Sequence, residues 1–202
     1  MSAHPQSAPD RWLDLGEVLR ELVAQGRVDQ DIAEQCLAIR RSVMNNQQHP
    51  LEFLASQQVD DLSRPGRKLD LEALTRWLAD YAGQPYLRIA PLKIDAAAVT
   101  PLMSYAFAQR HKILAVDVDA ESVTIASAQP FISSWEPNLT HVLKRPIKRV
   151  VVNPADLERF TNEFYRLARS VSGATSPDQK ISSIGNFEQL LSLGAQDKEP
   201  DA

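Results

Sequence analysis

The sequence has little of the residues that mark several large classes of protein. Cys36 is the single cysteine among 202 residues, so an internal disulfide is impossible and a disulfide-stapled secreted domain is excluded. Apolar runs are short, and the roughly 18 consecutive apolar residues of a membrane-spanning helix occur nowhere. The opening residues, MSAHPQSAPDRW, lack the apolar core of a secretion signal. These absences predict a chain that stays in the cytoplasm.

Sequence motifs of the common catalytic and metal sites are also missing. Gly66 precedes Arg67 and Lys68, but Leu69 follows the lysine where a phosphate-binding loop needs Ser or Thr. The histidines form no His-Glu-x-x-His pattern and lie scattered at His4, His49, His111 and His141. No Gly-x-Ser-x-Gly nucleophile motif occurs. The sequence therefore predicts no catalytic residue, no metal site, no cofactor and no ATP hydrolysis by this chain.

The overall charge of the chain and one local cluster of cations indicate different kinds of binding partner. The formal net charge is −4 and the pI is near 5.6, which argues against a nucleic-acid partner, because such binding needs a basic surface. A basic cluster made of Lys144, Arg145, Lys148 and Arg149 would fit an acidic partner or anionic headgroups, although solvated charge is the commoner explanation. Trp12, on the first predicted helix, is a second candidate for docking.

The first half of the chain has the apolar spacing of helices. Residues 1–9 are polar and rich in proline, and we expect a disordered tail there. Apolar positions at helical spacing then predict a helix ending at Gly26 and a second helix capped by Asp29. A further pair starts at His49-Pro50 and ends at Gly83, and it loosely repeats the first. Residues 10–83 are therefore predicted to form a helical-hairpin subdomain with a degenerate repeat.

The second half mixes strand and helix patterns. Residues 86–89 and 147–152 are predicted strands, 112–128 a β-hairpin, and 96–109, 132–143 and 154–170 helices. This order predicts an α+β protein in which a small split αβ sandwich, residues 84–170, follows the helical subdomain. Residues 171–202 have the composition of a linker, with one short amphipathic stretch, NFEQLLSL, at 186–193.

Several segments together resemble a known family. They are LRELVAQGRVDQDIAEQCL (19–37), ADYAGQPYLRI (79–89), AFAQRHKILAV (106–116), ASAQP (126–130) and KRPIKRVVVNPADLERF (144–160). Their order and spacing are similar to those of the amino-terminal domain of type II secretion and type IV pilus assembly ATPases, the GspE family, which includes the MshE-type cyclic-di-GMP-binding domain.

The resemblance implies a role and two protein partners. It implies a non-catalytic domain that couples absent motor domains of the same ATPase to the cytoplasmic domain of an inner-membrane platform protein, at the cytoplasmic face of that membrane. Residues 171–202 would then lead toward the motor domains. The alternative that it implies is a domain that senses cyclic di-GMP.

The cyclic-di-GMP pattern of the family starts each repeat with Arg-Leu-Gly. In an alignment on Gly26, these places in the first repeat hold Glu17, Val18 and Leu19, so a carboxylate replaces the guanidinium that would meet a phosphate or guanine. This departure argues against binding in the family's manner. An altered site would use Arg40, Arg41 or His49, and ordinary surface charge is the simpler interpretation of these residues.

Overall fold

The computed structural model describes residues 9–42 and 48–174. The helical half of the chain comprises α1 (Leu15–Ala24), α2 (Gln30–Ser42), α3 (Pro50–Ser56) and α4 (Leu71–Ala82). The αβ half comprises α5 (Ala96–Val99), α6 (Tyr105–His111), β1 (Ile113–Val118), β2 (Val123–Ser127), α7 (Glu136–Leu143), β3 (Ile147–Val151) and α8 (Pro154–Ala174), with 3-10 turns at Pro91–Lys93 and Thr100–Leu102. The predicted α+β class is confirmed.

The helices of the first half begin and end on capping residues that are readable in the sequence. The Asp14 carboxylate accepts hydrogen bonds from the first backbone N–H groups of α1, and Asp70 does the same for α4. The latter helix ends at Gly83, which takes a left-handed φ of 63°. The four helices enclose an apolar cluster that includes the fully buried Leu19, Leu22, Leu51, Leu54, Leu74 and Leu78.

The αβ half is built on a three-stranded sheet in the order β1-β2-β3. The hairpin of β1 and β2 is antiparallel, with a register irregularity between Ala115 and Asp117, and β3 runs parallel to β2 after the α7 crossover. A second apolar cluster lies between this sheet and α8. Val151 of β3 does not belong to this second cluster, because its side chain is fully buried in the cluster of the helical half.

Four predicted elements differ from the structure. Residues 96–109 are not one helix, because Pro101 lacks a backbone donor and Ser104 caps a new helix at α6. The predicted strand 86–89 is reduced to a single bridge between Tyr86 and Val151. The helix predicted from Ile132 starts only at Glu136. The last described helix, α8, continues to Ala174 and so enters the stretch predicted as a linker.

Other expectations are not tested by the structure. The tail at 1–8, most of the linker and the amphipathic stretch at 186–193 lie outside the described residues. Within the described ranges, no helix has the length and apolar character needed to cross a bilayer. The same part of the chain holds no group of three or more His, Cys, Asp or Glu side chains placed to bind a metal ion.

Candidate functional site

The two halves meet at a loop that follows β2, residues 128–135, here called the joint loop. Its Gln129 side chain accepts a hydrogen bond from the backbone N–H of Leu13 at 2.9 Å. The N–H groups of Ser133 and Ser134 donate to the Asp10 carboxylate, and these bonds hold the pKa of Asp10 below its usual value against the opposing effect of burial. The segment before α1 is therefore fastened to the αβ half.

Arg149 on β3 donates hydrogen bonds to the backbone of the joint loop. Its Nη2 donates to the carbonyls of Pro130 and Ile132, both at 2.8 Å, and its Nη1 lies 3.6 Å from the Glu136 carboxylate. The guanidinium also lies over the Trp135 ring, 5.4 Å from its centroid. The Arg149 side chain is only 17% exposed. The Arg149 guanidinium therefore faces the joint loop, and the docking role predicted for the basic cluster stays a prediction.

The remaining members of the predicted basic cluster have a different environment. Lys144, in the left-handed conformation after α7, is exposed, and Arg145 is half-buried. Lys148 is exposed and lies 3.8 Å from the Asp119 carboxylate. Lys144 and Lys148 are therefore the exposed members of the predicted cluster, and Arg145 and Arg149 are half-buried.

A cavity of about 730 Å³ opens between the two halves, within the size range of ligand sites. Its buried lining comes from both halves and is mostly apolar, with Gln129 and Thr161 as buried polar members. The buried apolar residues are Leu13, Leu15, Pro50, Ala108, Ala128 and Leu157. Trp12 lines the same cavity. It is 60% exposed and lies before α1, not on a helix as predicted.

The charges around the cavity are mixed. The cations are Arg20, Arg40, Arg41 and Lys112, and the carboxylates are Asp14, Glu52 and Glu158. Burial raises the pKa of Glu52, the His49 backbone N–H opposes this shift, and repulsion from Glu158 adds to it. The cavity therefore offers donors for an anionic ligand, but its field is not uniformly positive.

His49 joins the two halves at the wall of this cavity. Its Nδ1 accepts a hydrogen bond from the Leu51 backbone N–H, and its Nε2 lies 3.0 Å from the carbonyl oxygen of Ala128. An accepting Nδ1 leaves the ring proton on Nε2, so the neutral ring donates to Ala128. Burial lowers the His49 pKa to about 4, the bond to Ala128 opposes this shift, and the charge of Arg40 adds to it.

The structure brings together the three residues predicted for an altered site. Arg40 lies over the Phe53 ring at 4.9 Å and bonds the Gln48 carbonyl, and Arg41 and His49 line the same cavity. Arg20 and Lys112 also line it and were not predicted. No local sequence pattern indicates Lys112, because it reaches the cavity from the other half of the chain.

The helix starts give a different alignment of the two repeats from the one based on Gly26. Asp14 caps α1 and His49 caps α3, and α1 has ten residues where α3 has seven. Alignment on the caps therefore moves the first repeat by three residues and places Asp14, Leu15 and Gly16 in the Arg-Leu-Gly positions. The leucine and the glycine are then present, and only the arginine is replaced by a carboxylate.

Comparisons with known proteins show what this chain is similar to. Residues 82–171 match the model of the MshEN domain family. The chain is also 34% identical over 194 residues to the type IV pilus assembly ATPase TfpB of Acinetobacter baylyi, with 94% of this chain and 32% of TfpB covered. The predicted resemblance is confirmed, and the chain spans about a third of the length of this relative.

Two solved structures are similar to this chain at low identity. The structure of MshE with cdg, cyclic di-GMP, is 19% identical with a TM-score of 0.48, and covers 76% of this chain and 99% of that chain. The N-terminal domain of XpsE is 10% identical with a TM-score of 0.39, and covers 77% of this chain and 97% of that chain.

Proposed function

We propose that this chain is a docking and regulatory region of a pilus or secretion ATPase, and that it contributes no hydrolysis of its own. The observation that carries the proposal is the match to TfpB, a type IV pilus assembly ATPase, along 94% of this chain. The partners would be the motor domains of the parent ATPase and the cytoplasmic domain of an inner-membrane platform protein. The chain would then act in the cytoplasm, at the inner membrane through that partner.

The surface that supports docking is the basic cluster without Arg149, namely the exposed Lys144 and Lys148 with the half-buried Arg145. Lys144, Arg145 and Lys148 lie within five positions, at the end of α7 and on β3, in a chain with a formal net charge of −4. Charges at the edge of an interface act mainly on the rate of association and on its salt dependence. A partner with an acidic surface would be steered to this edge of the αβ half.

Charge reversal of this surface tests the docking proposal. We expect Lys144→Glu with Arg145→Glu to slow association with the platform domain about three- to tenfold and to flatten its salt dependence, because the steering attraction is lost. Surface plasmon resonance at several salt concentrations measures both effects. Lys93→Glu with Arg110→Glu, a matched pair of exposed cations elsewhere, should change neither. Equal effects of the two pairs would contradict the proposed surface.

Binding of cyclic di-GMP is the second candidate function, and the cavity between the halves favours it. An apolar floor, four cations and the exposed Trp12 ring supply what a dinucleotide needs, namely an enclosed surface, donors to phosphate and a ring for stacking. The carboxylate of Asp14 acts against an anion at the start of α1. The cavity therefore supports a ligand of this class with altered contacts.

Calorimetric titration separates the two functions. If the cavity binds cyclic di-GMP, Arg41→Ala should weaken binding about tenfold or more, because a charge-assisted bond to phosphate is lost. Arg88→Ala, at an exposed position outside the cavity lining, is the matched control. Absence of heat with the unaltered chain would remove the second function and leave the docking proposal intact.

A further inference from the structure

The last described helix carries its apolar face past the end of the αβ core. Phe160 and Phe164 on α8 are 5% exposed, whereas Leu167 and Val171 are 55% and 57% exposed. Val171 follows Phe160 by about three helical turns and so lies on the same face of the helix. Leu167 and Val171 are neighbours at i and i+4, and we call them the exposed stripe. This stripe continues the apolar face of α8 beyond the buried Phe160 and Phe164.

The sequence after α8 contains a segment whose apolar pattern fits the exposed stripe. Phe187, Leu190 and Leu191 recur at i, i+3 and i+4 in NFEQLLSL. These residues lie outside the described part of the chain. We propose that residues 186–193 of this same chain dock on Leu167 and Val171 and cover the exposed stripe. The proposal is independent of the docking function, because it concerns only contacts within the chain.

The intervening chain is long enough for this return. Residues 175–185 can span up to about 36 Å when extended. The distance along α8 from Leu167 to Ala174 is only about 10 Å at the rise of a helix. The intervening sequence, TSPDQKISSIG, is polar and contains Gly, Pro and Ser, which is typical of a connection. The connecting segment is therefore long enough for residues 186–193 to reach α8.

The charges of the two partners are complementary. From residue 159 to its end, α8 carries Arg159, Arg166 and Arg169 against Glu163. The chain from 175 onward has an acidic excess, with Asp178, Glu188, Asp197, Glu199 and Asp201 against Lys180 and Lys198. Opposite charges at the edges of the apolar contact would favour this pairing over a copy of α8 itself, whose charges repel.

Engineered cysteines in the full chain test the contact. The only native thiol, Cys36, is 3% exposed, so it competes little in oxidation. We expect the pair Val171→Cys with Leu190→Cys to form an intramolecular disulfide about tenfold or more faster than Arg166→Cys with Leu190→Cys. The control cysteine has the same tether but lies about 140° around the helix from Val171. Adding Leu191→Asp should lower the rate of the first pair to that of the control.

Two results would overturn the proposal. Equal rates for the two pairs would mean that the tether alone brings residue 190 close to α8. Covalent dimers whose yield rises with protein concentration would mean that a second copy covers the stripe. Circular dichroism of each variant before oxidation checks that α8 is intact, so a lost crosslink is not an unfolded chain.

Discussion

Arg149→Met is expected to lower the free energy of unfolding by about 3 kcal/mol, because it removes two charge-assisted hydrogen bonds inside the protein. The lost bonds are those to the carbonyls of Pro130 and Ile132, each at 2.8 Å. Each carbonyl keeps one neutral donor, Gln84 Nε2 and Trp135 Nε1 respectively, so neither is fully orphaned. Glu136 also loses its cationic neighbour. Methionine retains much of the apolar volume, which separates the loss of bonds from the loss of packing.

Urea denaturation of Arg149→Met and of Lys148→Met measures this difference on adjacent residues of one strand. Lys148 is exposed and lies 3.8 Å from Asp119, so its replacement should cost less than about 0.5 kcal/mol. Equal losses for the two variants would show that Arg149 does not hold the joint loop. Because of this role, a charge reversal at Arg149 would disturb the fold and cannot test docking.

Stability is expected to fall by about 2 to 3 kcal/mol as the pH decreases from about 6.5 toward 4.5, and His49 is the main cause. The unfolded ring has a pKa near 6.5, and the folded ring has a pKa of about 4. The unfolded chain therefore binds a proton over this range that the folded chain does not bind, so protonation favours unfolding. The loss is complete below the folded pKa. Burial also lowers the pKa of His111, which contributes in the same direction.

His49→Asn isolates the contribution of His49. Asparagine can still cap α3 but has no ionisable group and is too short to reach Ala128. Thermal or urea unfolding between pH 7 and 4.5 should give a flatter curve for this variant, with lower stability at pH 7. His141→Asn, at an exposed histidine, should keep the slope of the unaltered chain. If His49→Asn kept that slope too, the neutral bridge to Ala128 would not be the cause.

Local signals predicted most of the secondary structure. Asp14 and Asp70 cap helices, Gly83 ends α4, and the alternation around residues 112–128 gives the hairpin. For the basic cluster, the grouping of four nearby cations did not distinguish exposed side chains from half-buried ones. Side chains alternate sides along a strand, so Lys148 and Arg149 cannot both face solvent from the same surface of β3. That rule was available in the sequence and separates the exposed lysine from the half-buried arginine.

The candidate site was predictable only in part. Arg40, Arg41 and His49 are close in sequence and were grouped by their chemistry. The cavity that unites them also needs Lys112 and Ala128, which lie more than sixty positions further along the chain. No periodicity encodes such a meeting, because it depends on how two separately patterned halves pack. Trp12 was missed as a cavity residue for the same reason.

Val151 gives the chain a definite order of events during synthesis. It is fully buried among side chains of the helical half, although it is made about seventy residues after α4 ends. Asp10 and Leu13 likewise form hydrogen bonds to Ser133 and Gln129, which follow them by 123 and 116 positions. Closing such long loops has an entropic cost that short helical contacts do not have. The helical half leaves the ribosome first, but it can complete its core only after β3 has emerged. During that interval its incomplete apolar face is the surface that a nascent-chain chaperone would bind.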